Sequence, residues 1–165
     1  MQADRRLAIH VWIDSSLLRS FVADAEAEDP NETGGMLVGY WAVDGGDLVV
    51  VDAIPGGPGA QRSRTGFRPD GRWQQARLEQ LYSDSERTTT YVGDWHSHPR
   101  GTATPSRKDI KTARRVAGLK SGRTPRPLTL IVGRVETRWC AEAYIYDRSR
   151  LQHICLRSFE AGHAN

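Results

Sequence analysis

Apolar positions along the chain follow two different periods. Residues 7–13, LAIHVWI, alternate apolar and polar side chains, as a strand with one buried face does. Asp14 or Ser15 is placed to cap a helix. Leu17, Leu18, Phe21, Val22 and Ala25 then recur at the spacing of one helical face. The breaker DPNETGG ends that pattern. MLVGYWAV and DLVVVDAI follow as two strands about the turn signal DGG, which predicts a hairpin. Residues 55–66, PGGPGAQRSRTG, read as a mobile Gly/Pro/Arg-rich loop. A second helix is predicted over 69–84, with Leu78, Leu81 and Tyr82 spaced to pack, then a strand over 88–97. A third helix covers 106–119, with Ile110, Ala113, Val116 and Ala117 facing inward. Strands at 128–135, 138–146 and 151–159 complete the chain, the last two joined by the turn DRSR. The order β-α-β-β-α-β-α-β-β-β predicts a mixed α/β (α+β) fold: a mainly antiparallel sheet with about three helices against it.

No repeat, low-complexity tract or linker interrupts this order, and 165 residues make one domain over 1–165. Such a chain buries a core without disulfides. Cys140 and Cys155 fall on neighbouring predicted strands and read as small buried thiols. No apolar run approaches the roughly 18 residues of a membrane span, and the N-terminus lacks the apolar core of a secretory signal, so a cytoplasmic location is expected. The net charge of +3 does not argue strongly for a nucleic-acid binder. Its basic residues do concentrate in 106–126, a stretch that suits an acidic partner or a solvated helix face.

The distinctive chemistry lies in residues 94–109, DWHSHPRGTATPSRKD. Residues two apart on a strand share a face, so His96 and His98 project together and two imidazoles can reach one ion. Asp94 shares that face and is a candidate partner for a ligating ring, while Trp95 and Ser97 point the other way. Past a short Pro/Gly loop, Ser106 and Asp109 stand three apart at a helix start. That spacing is a capping box, and it also lets Asp109 serve as a third, anionic ligand. Two neutral imidazoles and one carboxylate leave a coordination position open, the pattern of a catalytic rather than a closed structural zinc site.

His-x-His, seven residues, then Ser-x-x-Asp resembles the JAMM signature of the JAB/MPN-type zinc peptidases. That signature also expects an upstream glutamate before glycines and an apolar strand, and PNETGGMLVGYW offers Glu32 there. The resemblance runs over nearly the whole chain. It implies an MPN-type fold and one Zn2+ held by His96, His98 and Asp109. It also implies Glu32 as general base and then acid toward the leaving amine, and Ser106 as hydrogen-bond donor to the oxyanion. ETGGMLVGYW, PGGPGA and GDWHSHP look, more narrowly, like small prokaryotic JAB proteins that accompany ubiquitin-like conjugation genes in antiviral defence operons, CBASS among them. Such proteins cut the bond after the C-terminal tail of a ubiquitin-like protein or a CD-NTase (a cGAS-like nucleotidyltransferase), freeing it from lysines or processing its precursor. The family takes such a tail as an added strand, and loop 55–66 is the candidate to close over it.

Two rival readings stand beside this one. A non-catalytic MPN-type scaffold would keep the motif and bind a tail without cutting it. A nucleic-acid binder would use 106–126, independently of zinc.

Overall fold

The computed structural model describes residues 9–43, 46–120 and 124–161. Asp44 and Gly45 of the predicted DGG turn lie outside the described residues, as does the start of the predicted first strand. The elements are β1 (His10–Asp14), α1 (Ser15–Glu28), β2 (Gly34–Trp41), β3 (Leu48–Pro55), β4 (Gln61–Ser63), β5 (Gly66–Arg68), α2 (Gly71–Asp84), β6 (Thr90–His98), α3 (Arg107–Ala117), β7 (Leu128–Val135), β8 (Arg138–Asp147) and β9 (Arg150–Phe159). Seven strands close into a barrel in the order β1-β3-β2-β6-β7-β8-β9, with β9 returning to β1. Hairpin and neighbour pairs β2/β3, β2/β6, β7/β8 and β8/β9 run antiparallel, whereas β1/β3, β1/β9 and β6/β7 run parallel. The mainly antiparallel α+β architecture with three helices is therefore present. Closure through parallel β1 is not visible in any local pattern, because it depends on strands some 140 residues apart.

Alternation sets the core. Val11 and Ile13 of β1, Val50 of β3 and Leu130 and Val132 of β7 are fully buried and pack with Leu37, Trp95 and Ile145. The apolar stripe of α1 meets this cluster through Phe21 and Ala25, and the Phe21 ring stacks on Trp95 at 4.3 Å. α1 begins where Asp14 accepts the Ser16 N–H.

Several local expectations give way. Residues 61–68 form a hairpin instead of an irregular loop. Its Phe67 ring occupies space that a Cβ at Gly34 would need, at 3.0 Å. Its Ser63 carbonyl accepts the Glu32 N–H at 2.8 Å. On α2, Leu78, Leu81 and Tyr82 are only half-buried. The buried residue is Gln74, whose amide donates to the Pro55 carbonyl at 3.0 Å. Ile110 is exposed at the start of α3, and Ala113 takes the core position. Cys140 is half-buried and Cys155 exposed, both free thiols, because their strands show that face to solvent. None of the described helices is long and apolar enough to cross a membrane.

Candidate metal centre and active-site cleft

β6 carries His96 and His98 to its last residue, where α3 returns across their face. The loop between them passes directly over β7. A Cβ on Gly133 would lie 2.1 Å from Ala103 N, so only glycine permits this approach. The result is a tight triad. His96 Nε2 lies 3.0 Å from His98 Nε2 and 3.2 Å from Asp109 Oδ1, and His98 Nε2 lies 3.4 Å from Asp109 Oδ2.

These separations fit an ion. Tetrahedral ligands at 2.0–2.1 Å from zinc stand about 3.3 Å from one another. The tautomers fit too. His98 Nδ1 faces the Thr102 carbonyl at 3.0 Å, an acceptor only, so Nδ1 carries the proton and the Nε2 lone pair is free for the site. Burial works against ionised Asp109, but the two histidines and the Ser106 N–H outweigh it and hold its pKa far below the carboxylate range. Burial likewise opposes charge on His98, while Asp109 and the Thr102 carbonyl raise its pKa. Among the described residues, His96, His98 and Asp109 form the one group of such side chains whose ligand atoms converge.

Capping and ligation are served by the same atoms. Ser106 Oγ accepts the Asp109 N–H at 3.2 Å, and Asp109 Oδ2 accepts the Ser106 N–H at 2.7 Å. Because its oxygen is the acceptor, the Ser106 hydroxyl proton is not used by the cap.

Glu32 reaches the triad through strand register. β2 runs antiparallel to β6 with Gly34 opposite His96, so two residues earlier the chain comes alongside His98. Ser97, the residue between the histidines, locks that register. Its N–H donates to the Thr33 carbonyl at 2.8 Å, and its Oγ accepts the Thr33 N–H at 3.0 Å. Thr33 Oγ1 in turn donates to Asp24 and accepts from Arg62 Nε. Thr33 and Ser97 are fully buried, and each side-chain oxygen has a hydrogen-bond partner. Burial raises the Glu32 pKa, partly offset by the nearby histidines.

Glu32, His96, Ser106 and Asp109 share one cleft of about 490 Å³, walled by the β4–β5 hairpin, α3 and β7. Asp94 lines it as well. Burial pushes its carboxyl up to about 6, against a 2.5 Å hydrogen bond donated by Tyr91 Oη. Asp94 thus accepts from Tyr91 and also feels the charge of His96. Sequence reasoning missed Gly133 and Phe67. An isolated glycine inside the strand LTLIVGRV was the available signal for the first, and Phe67 had none.

Residues 14–144 match the family described as prokaryotic homologues of the JAB domain. A probable metalloprotease of Sinorhizobium fredii is 34% identical over 141 residues, 85% of each chain. A CD-NTase/cGAS isopeptidase of Enterobacter hormaechei is 30% identical over 132 residues, 74% of this chain and 67% of the relative. In fold, a protein of Desulfitobacterium hafniense known from a solution structure superposes with a TM-score of 0.71 at 21% identity. That match covers 93% of this chain and 95% of the other.

Proposed function

Because the chain belongs to the family of prokaryotic homologues of the JAB domain, we propose that it is a zinc-dependent isopeptidase acting on the amide that joins a C-terminal tail to a lysine. The observation that carries this reading is that Glu32 shares a cleft with His96 and Asp109, two members of the converging His96–His98–Asp109 triad. The triad would hold Zn2+, which supplies Lewis acidity and makes hydroxide accessible near neutral pH.

The remaining steps belong to the chain's own residues. Glu32 takes the proton of the attacking water. Its half-buried position raises the affinity of the carboxylate for that proton. It then delivers the proton to the departing amine, which leaves poorly unless protonated. The Ser106 hydroxyl donates to the oxyanion, at the positive end of α3. The hairpin wall at Thr65 and Phe67 and the β7 wall at Leu128 flank the extended tail.

Relatives named CD-NTase/cGAS isopeptidases support a CD-NTase tail as substrate. A ubiquitin-like tail in the same kind of antiviral conjugation system shares its chemistry. The complete ligand set and the presence of Glu32 beside it speak against a scaffold that binds without cutting. The test is to incubate the zinc-loaded protein with a CD-NTase-tail fusion and read the intact masses. Cleavage immediately after the tail, abolished by a chelator and restored by zinc, is expected. A purified protein that holds no metal overturns the reading.

A further inference from the structure

The loop between His98 and Ser106 sets the geometry of the whole triad, since it carries the Thr102 carbonyl that orients His98 and turns the chain toward Asp109. Backbone contacts hold its first part: Gly101 N–H donates to the His98 carbonyl at 3.1 Å, and Arg134 N–H donates to the Gly101 carbonyl at 2.7 Å. Beyond Thr102 the tie is a side chain. Tyr144 Oη, on β8, donates to the Ala103 carbonyl at 2.9 Å. Ala103 is buried and pressed against Gly133, so the loop has a floor at β7 and a pin at β8. Thr102, whose carbonyl accepts from His98 Nδ1, lies immediately before the pinned residue.

We propose that Tyr144 is a positioning residue for the metal centre, its hydroxyl holding the Ala103 carbonyl so that Thr102 keeps the His98 ring aimed at the ion. The pin acts through the loop and touches neither ion nor substrate. It is also a phenol whose proton stays in place, because burial and the nearby Glu142 raise its pKa. A hydrogen bond to a backbone carbonyl needs that proton. Partners that orient a ligating histidine commonly contribute 10–100-fold in metal affinity. A residue one step further out belongs at the lower end of that range.

The inference rests on the metal-centre reading above, and its test is chosen to separate the two. Zinc affinity of the full chain is measured by competition with a chromogenic chelator, for the wild type and for Tyr144→Phe, alongside the melting temperature of each metal-free protein. Tyr144→Phe keeps the ring and removes only the hydroxyl. Zinc binding about tenfold weaker, beyond any change in the metal-free melt, supports the proposal. Unchanged zinc affinity with a lowered metal-free melt shows a merely structural hydrogen bond and overturns it. Gly133→Ala provides a second variant, because the added methyl lifts the same loop from β7. It should weaken zinc in the same direction. If wild-type protein binds no zinc, both the inference and the proposed function fail. If it does bind and Tyr144→Phe binds equally well, only the inference fails.

Discussion

Ser106 and Asp109 cap one another across the first turn of α3, and the carboxylate that closes the cap is the one that faces both histidines. One feature of sequence thus does two jobs. The cap satisfies helix N–H groups, and it fixes the carboxylate rotamer that the triad needs. The Ser106 hydroxyl has a further proposed role, donation to the oxyanion, and substitution separates that role from capping. Ser106→Ala removes the cap acceptor, which costs about 1 kcal/mol of stability, whereas Ser106→Gly costs only a few tenths. Both remove the hydroxyl that faces the cleft, so both lower kcat by about 10²–10³-fold. Denaturant melts and cleavage rates on the two variants check this. A Gly variant with wild-type kcat would place the hydroxyl outside the reaction.

Glu32 shares the cleft with His96 and Asp109 and feels the charge of both histidines and of Asp109. Glu32→Gln preserves shape and one acceptor oxygen but cannot take a proton. It should keep stoichiometric zinc while kcat falls about 10²–10⁴-fold, the range of general acid–base catalysis. Metal analysis and cleavage kinetics on one preparation give the result, and loss of zinc from this variant would recast Glu32 as a ligand.

How much of this was legible in the chain can be read from the same residues. Period-two alternation places His96 and His98 on one face, and Ser-x-x-Asp marks a helix start. Both are local consequences of strand and helix geometry. The approach of Glu32 is not local. It is set by the pairing of Gly34 with His96 and by the knot of Thr33 with Ser97, 64 residues apart. Only the resemblance to a family pointed to it. The β4–β5 hairpin escaped because glycine and proline hide short strands, and because the space for Phe67 is created by the distant Gly34. Ile110 misled because helical spacing alone does not say which side of a short helix meets the barrel.

Ser97 provides a test of that knot. Its hydroxyl is the acceptor for the buried Thr33 N–H. Ser97→Ala leaves that donor unpaired, a cost of about 1–3 kcal/mol. It also frees the β2 start that carries Glu32. The expected outcome is a lower melting temperature together with a loss of kcat that exceeds any loss of zinc. An equal fall in both would trace the effect to the histidines instead.

Asp47 offers a prediction about acid stability far from the cleft. Its carboxylate accepts from Trp12 Nε1 at 3.0 Å and from the His10 N–H at 3.1 Å, and stands 3.3 Å from His10 Nδ1. It thereby ties β1, the strand that closes the barrel, to the residue just before β3. The Trp12 hydrogen bond, then the His10 N–H, lower its pKa in the folded protein. A depressed folded pKa means that the unfolded chain binds the proton more readily. The stabilisation is therefore complete above the unfolded value near 3.9 and is lost as pH falls through the folded value. Asp47→Asn removes the ionised acceptor at every pH. Its melting temperature should lie below the wild type's at pH 7, and the gap should close as pH drops below about 4. Paired thermal melts from pH 7 to pH 3 measure this. A gap that stays constant across the range would show that Asp47 acts through packing and not through its charge.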